Sequence, residues 1–354
     1  MRTRFVAITV VAGLAVIGAW LYLAGCDNDS PTGPVPPKDY PVYFTDINDT
    51  TSFIYTPATG TIDSFHLPFK VDFRRDGMRS TADGRQLYVS TRDSTMVLDL
   101  ATGELSMFSS DGAREVAFSA DGQLMAIQGD ELSIVRTSDQ SLVYFDTSAT
   151  SWGVFSANSQ SFYAVSNYAA YKVSLDSSFA VTRKSFGTLY RILPSIDECK
   201  WFLIVGGGIG YCFGVYDPVA DSVVFWDSCS PGFGDMALTP DNRYLFFAKP
   251  TDCRDMFPDW IPSIVAFDVE NNRIHTEINP IGFYFYNGDS ISVDLDIADL
   301  QITPDGRWLV GIEAGCLGSL GLFVALDIDQ LSVARHERVG TFRRVDCLTG
   351  PISP

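Results

Sequence analysis

The chain has 354 residues, a formal net charge of −18 and three histidines. So acidic a surface repels phosphate backbones and anionic lipid headgroups, which weighs against nucleic acid as a partner and against direct adhesion to a membrane surface. Three histidines leave little scope for a His-based metal site or triad.

The chain opens with Arg2 and Arg4, an uncharged apolar run from Phe5 to Tyr22, and Leu23-Ala24-Gly25-Cys26. A positive start, an apolar stretch and small closing residues are the order of a secretory signal peptide. The run sits at the short edge of what spans a bilayer, so an uncleaved anchor is the alternative on length alone. The ending resembles the lipobox of bacterial lipoproteins. That resemblance implies removal of residues 1–25, lipidation of Cys26 and a place in the cell envelope, lipid-anchored on the extracytoplasmic face. Asp27 resembles an inner-membrane retention signal of some Gram-negative bacteria. Residues 26–40 include Pro31, Pro34, Pro36 and Pro37, a composition that favours an extended spacer over a core.

From residue 41 onward one unit recurs. An apolar strand meets a Ser/Thr-x-Asp-Gly turn, then come a second strand, a loop, a strand often ending in Asp, another turn and a last strand. Ser80–Ser90 with Met96–Gly103 is the clearest copy, followed by Val116–Gly122 and Val154–Asn158. Later copies are Ile192–Asp197, Ala237–Asn242 and Gln301–Gly306. The turn positions are 83, 121, 158, 197, 241 and 305, spaced 37 to 44 residues apart until the last interval of 64. Asp-Gly and Asp-Asn accept the left-handed backbone of tight hairpins. Four strands every 40 residues is the repeat of a propeller blade.

A seventh unit stands in front. Val42–Asp46, Thr51–Thr56 and Ile62–Leu67 are three strands with no first strand, while Thr341–Val345 is a spare strand at the end. The expectation is an all-β, seven-bladed β-propeller of four-stranded antiparallel blades over residues 41–354. The C-terminal strand would become the innermost strand of the first blade, hiding the sheet edges. Ser/Thr-Pro-Asp-Gly-Arg before a Tyr-Val-like strand, then Val-x-Asp-x-x-Thr-Gly, resembles the YVTN-type (YncE-like) seven-bladed propellers. The pattern is clear at Asp83–Gly103 and Thr239–Asp268 and degraded at Ser195–Lys200, where Asp197-Glu198 replaces Asp-Gly. The resemblance implies a fold and a binding or scaffold role outside the cytoplasm, with no catalytic residues carried over.

The candidate sites follow from this frame. His66, His275 and His336 each fall on the last, outermost strand of a unit, far from one another. Gly206-Gly207-Gly208-Ile209-Gly210 has no following helix, so it reads as a hairpin and not a phosphate loop. Asp46, Asn48 and Asp49 lack the downstream Gly and Glu of a calcium loop. Asp289, Asp294, Asp296 and Asp299 are a weak Ca²⁺ candidate, read first as a solvated acidic loop. No cofactor is otherwise implied, because a quinone-type propeller would need repeated Trp motifs and an adjacent cysteine pair.

Two insertions stand out. One, 250–262, holds Arg254, Phe257 and Trp260; the other, 281–299, opens with Phe283, Tyr284, Phe285 and Tyr286. Strand order puts both on one rim, where loops on a rigid scaffold recognise partners. Cys199, Cys212, Cys229, Cys253, Cys316 and Cys347 are even in number, as disulfides of an exported protein would be. Cys253 with Cys316 and Cys212 with Cys229 are the candidate pairs, while Cys199 and Cys347 remain at turns of the opposite face.

The function expected is a membrane-anchored binding module for an unknown protein, peptide or glycan. The alternatives are a hydrolase or lactonase-like enzyme acting on a small molecule or glycan at the central channel, and a purely structural envelope component.

Overall fold

The computed structural model describes residues 41–349 except 47–49, 57–58, 70–77, 82–83, 91–93, 110–114, 148–151, 167, 177, 208–209, 228–234, 250–262, 279–283, 287–288, 292–296, 314–321 and 339–344. By internal contacts the chain separates into Met1–Lys38 and Asp39–Pro354, and every described residue belongs to the second unit. The leader, Cys26 and the proline spacer therefore lie outside the described residues.

The chain from residue 41 onward is a seven-bladed β-propeller. Seven antiparallel sheets of four strands each follow one another, and six of them use four consecutive strands. The innermost strands of those six are Met78–Ser80, Glu115–Phe118, Trp152–Phe155, Leu189–Pro194, Met236–Leu238 and Ile297–Ile302. Blade 1 is built differently. Its own strands, Val42–Asp46, Thr51–Thr56 and Thr61–His66, are completed by Val345–Thr349 from the other end of the chain. Tyr43 stands opposite Thr349, and Asp46 opposite Val345.

The closing strand thus begins where the sequence reading expected it to end. Adjacent Arg343 and Arg344 would put a cation on each face of an innermost strand, whereas Val345-Asp346-Cys347-Leu348-Thr349 does not. Cys347 accordingly lies inside a strand and not at a turn. A two-stranded hairpin, Tyr284–Tyr286 with Asp289–Ile291, sits in the insertion between blades 6 and 7.

Each pair of neighbouring blades shares one apolar cluster, and the seven clusters run around the ring. Blades 1 and 2 meet through Tyr43, Met78 and Leu87, blades 2 and 3 through Tyr88 and Phe118, and blades 3 and 4 through Ile134 and Phe162. Trp152, Tyr163 and Trp201 join blades 4 and 5. Phe202, Phe213, Phe247 and Phe267 join blades 5 and 6, with the Phe213 and Phe247 rings stacked at 4.4 Å. Phe246 and Leu309 join blades 6 and 7. Val42 and Phe44 meet Val310 and Ala325 to close the circle.

The turn from first to second strand repeats one hydrogen bond in blades 2 to 7. The Ser/Thr oxygen accepts the backbone N–H five residues on: Leu124 to Ser119 at 2.8 Å, Lys200 to Ser195 at 2.9 Å, Trp308 to Thr303 at 3.0 Å. In blades 3, 5 and 7 its own proton goes to the acid two residues on, as from Ser119 to Asp121 at 2.6 Å and from Thr303 to Asp305 at 2.6 Å; in blade 4 it goes to Asn158, and in blade 6 to the carbonyl of Tyr244. The next residue takes positive φ in all six repeats: Gly84 67°, Gly122 67°, Ser159 58°, Glu198 56°, Asn242 60° and Gly306 70°.

The three non-glycine residues at that position all reach toward the preceding blade. The Asp121 N–H donates to Ser159 Oγ (3.2 Å), Asn158 Nδ2 to Glu198 Oε1 (3.0 Å), and the Ile196 N–H to Asn242 Oδ1 (3.2 Å). Blades 3 to 6 are thereby laced together along their turns. Glu198 is the strongest latch. Its Oε2 also accepts from the Tyr163 hydroxyl and the Lys172 ammonium, each at 2.5 Å. Burial pushes the Glu198 carboxyl up, but the hydrogen bonds from Lys172, Tyr163 and Asn158 and the Lys172 charge outweigh it and hold the group below its usual value. The departure from Asp-Gly at 197–198 is therefore a change of role and not decay of the repeat.

Candidate functional site: the axial channel

The innermost strands leave a cavity of about 320 Å³ on the axis. Six blades line it. Arg79 comes from blade 2, Glu115, Ala117 and Phe118 from blade 3, Trp152, Val154 and Phe155 from blade 4. Leu193 and Ile196 come from blade 5, Leu238 and Pro240 from blade 6, and Gln301 from blade 7. The turn residues Ala120, Ala157, Ile196 and Pro240 among the lining place the cavity beside the laced turns.

Strand alternation explains which residues arrive here. Positions two and four before each turn Ser/Thr share a strand face. In blades 3, 4 and 6 that face carries Ala117, Trp152 with Val154, and Ala237, each packed in the cluster shared with the following blade. At the inner edge it borders the channel. Two positions back stand Arg79, Ala117, Val154, Leu193, Ala237 and Gln301. Four positions back stand Glu115, Trp152, Arg191, Asp235 and Asp299 in five successive blades. The first tier is apolar apart from its ends; the second is charged around one indole.

The charges are grouped so that each cation is more open than its acid. Arg79 Nη2 lies 3.3 Å from Glu115 Oε1, with side-chain exposures of 22% and 3%. Arg191 Nε lies 4.0 Å from Asp235 Oδ1, with 24% and 12%. The Asp235 carboxylate is also held by the Met236 N–H at 2.8 Å. Between these pairs the Arg191 guanidinium lies over the Trp152 ring, 5.2 Å from its centroid, a cation–π arrangement. Gly153 lets the strand sit this close to blade 3. A Cβ there would come within 2.6 Å of Phe162 Cζ and 2.8 Å of Gln128 Oε1, while the Gln128 amide donates to the Gly153 carbonyl at 3.3 Å.

The sites expected from sequence are placed only where they fall in the described residues. His66, His275 and His336 are on the outermost strands of blades 1, 6 and 7, as their spacing indicates. The glycine run is part of the blade 5 ladder, with Gly207 opposite Gly210. The Tyr190 ring lies on it, so that a Cβ at Gly206 would meet Tyr190 at 2.8 Å. Tyr284 and Tyr286 are in the inserted hairpin, Asp289 opens its second strand and Asp299 is in the first strand of blade 7. Arg254, Phe257, Trp260, Phe283, Asp294, Asp296, Cys229, Cys253 and Cys316 lie outside the described residues. Among the described residues no group of three or more His, Cys, Asp or Glu is placed to hold a metal ion. Cys212 is buried and disulfide-bonded. Cys199 is an exposed free thiol.

None of Arg79, Glu115, Trp152, Arg191 or Asp235 was singled out by sequence reading. The signal was available, since counting four residues back from each turn Ser/Thr of blades 3 to 7 picks out a Glu, a Trp, an Arg and two Asp in consecutive repeats.

No sequence-family model and no curated protein matches this chain. Solved structures do match. A 6-phosphogluconolactonase candidate from Bacteroides uniformis superposes with a TM-score of 0.60 at 14% identity, over 88% of this chain and 99% of that one. A second from Bacteroides fragilis gives 0.60 at 13% identity, over 90% and 99%. Kuenenia stuttgartiensis hydrazine synthase gives 0.58 at 16% identity, over 76% and 81%. At such identities the likeness is one of fold.

Proposed function

We propose that this propeller is an envelope binding module, tethered by lipid at Cys26, that holds a small ligand in its axial channel. The observation that carries the reading is the channel cavity: about 320 Å³, within the usual range of ligand sites of roughly 300–1,000 Å³, mostly apolar with a few converging polar groups. The signal-peptide pattern and the lipobox-like Leu23–Cys26 support the address, and the YVTN-type turn motifs support kinship with exported propellers. The rim insertions, with Arg254, Phe257, Trp260, Tyr284 and Tyr286, are the proposed contact for a protein, peptide or glycan partner. Binding is preferred to hydrolysis or lactonase chemistry because the three histidines stand on outermost strands and Glu115, the carboxylate that lines the cavity among the described residues, faces an arginine.

The test is a thermal-shift screen of small metabolites on the detergent-solubilised full chain and on Val154→Phe, which narrows the cavity and leaves the rim untouched. Compounds that stabilise the wild type and lose their effect in Val154→Phe are the expected result. Compounds that stabilise both equally would move the site out of the channel.

A further inference from the structure

We infer that Cys212 is bonded to Cys229 and that this cross-link locks the outermost strand of blade 5, Ser222–Trp226, to the strand beside it. The inference goes beyond the channel reading and does not depend on it.

Cys212 is in a disulfide and only 3% exposed, whereas Cys199 is a free thiol. With Cys26 taken by the lipid, as proposed above, the partner is one of Cys229, Cys253, Cys316 and Cys347. Strand direction decides among them, because side chains alternate between the two faces of a sheet. On the strand Gly210–Asp217, Phe213 and Val215 pack with Phe247 of blade 6. Cys212 therefore points the other way, toward blade 4. It stands opposite Val205, and Val205 shares a cluster with Trp152 and Tyr163 of blade 4.

A disulfide joins Cα atoms no more than about 7 Å apart. The segment holding Cys253 leaves from Lys249 of blade 6, the blade on the Phe213 side, so the sheet of blade 5 stands between that origin and the Cys212 thiol. Cys316 belongs to blade 7, with all of blade 6 between, and Cys347 to the innermost strand of blade 1. Cys229 is the one that blade 5 supplies itself. Gly214 stands opposite Trp226, and the Asp227 N–H donates to the Phe213 carbonyl at 2.9 Å. The ladder thus brings the chain to within two residues of Cys229 at the side of Cys212. The regular strand ends at Trp226, which releases the residues after it from strict alternation.

The strand so closed is an exposed apolar edge. Ser222–Trp226 carries no charge, and Val223, Val224 and Trp226 are 49%, 41% and 49% exposed. The outer strands of blades 4 and 6 carry Arg183 with Lys184 and Arg273 with Glu277, charges of the kind that keep an edge from pairing with other chains. At its turn end the blade 5 edge is held by Asp221, which bonds Lys184 of blade 4 and the Tyr216 hydroxyl. At its far end Lys249 of blade 6 reaches Asp227 at 2.8 Å, and the disulfide adds a covalent tie there. Closing it passes two electrons and two protons from the thiols to a disulfide-bearing oxidant, which leaves as two thiols; such oxidants belong to the compartment outside the cytoplasm.

Trypsin releases Trp201–Arg243, which contains Cys212, Cys229 and no other cysteine. From the full chain in detergent, alkylated without reductant, this peptide is expected with neither cysteine alkylated and two hydrogens lighter than its reduced form. A chymotryptic cut between the cysteines should leave the halves joined until reductant is added. A link from Cys212 to any other cysteine, or alkylation of both, would overturn the pairing. The lock is read separately, by hydrogen exchange. In Cys229→Ala the amides of Ser222–Trp226 are expected to exchange roughly tenfold faster or more, with Val181–Ser185 of blade 4 unchanged, and reductant should do the same to the wild type. Exchange in Ser222–Trp226 that ignored both changes would overturn the lock while leaving the pairing.

Discussion

Blades 4 to 6 and blade 7 make the same turn between first and second strands and solve its backbone problem in opposite ways. Blade 7 puts Gly306 at the positive-φ position, where a residue without Cβ pays no steric cost. Blades 4, 5 and 6 put Ser159, Glu198 and Asn242 there and accept a left-handed cost of about 1–2 kcal/mol for an ordinary residue, less for Asn. What they gain is a side chain that receives a hydrogen bond from the blade before. Blade 7 is poorly placed to make that exchange. Its predecessor carries Pro240, which has no N–H to give, and a Cβ at Gly306 would already lie 3.2 Å from Pro240 Cδ. A repeat can therefore lose its consensus residue because a neighbour has found a use for the position.

Breaking the strongest latch should have the largest effect. Glu198→Gln keeps the shape but removes the charge that holds Lys172 and the fully buried Tyr163. A loss of about 2 kcal/mol in urea unfolding is expected, the scale of a charge-assisted hydrogen bond; a loss under about 0.5 kcal/mol would show that the latch is decorative. The same group sets a pH dependence. Its folded carboxyl is held below the ordinary 4.5, so its stabilisation is complete above that value and fades as the pH falls through the lower folded value. The gap between wild type and Glu198→Gln should be constant from pH 7 to 5 and close in more acid solution. A gap that widened in acid would reverse the sign of the argument.

The sequence made the turns and the ring readable because both are written in contiguous residues. The run from Ser119 to Leu124 contains every atom of its own turn, and the missing first strand of blade 1 could be matched to a spare strand at the other end. The channel is different. Arg79, Glu115, Trp152 and Arg191 come from four repeats, and nothing local marks them as neighbours; only the ring brings them to one axis. The aromatic insertions drew attention instead, because Phe257, Trp260 and Phe283–Tyr286 are dense in one stretch. Glu198 was read as a weakened motif for the same reason: its partners, Asn158, Tyr163 and Lys172, belong to the previous blade.

The glycine side of the comparison can be sharpened next. Gly306→Ala should cost about 1–2 kcal/mol, from the left-handed backbone together with the close Pro240 ring. Adding Pro240→Ala to that variant should recover part of the loss, since it removes the ring but not the φ. Full recovery in the double variant would mean that contact with the ring, and not backbone strain, explains the glycine.

Ser159 should show the smallest effect and gives the cleanest separation of the two terms. Its hydroxyl receives one N–H, from Asp121, at 3.2 Å, worth about 1 kcal/mol. Its φ of 58° carries a cost of similar size and opposite sign. Ser159→Gly loses the bond and relieves the backbone, so its unfolding midpoint should barely move. Ser159→Ala loses the bond and keeps the strain, so it should fall by about 1 kcal/mol. The difference between the two variants is the left-handed cost at this turn, measured directly. Equal midpoints for Gly and Ala would leave no strain for the latches to offset, and the absence of glycine from blades 4 to 6 would then need another cause.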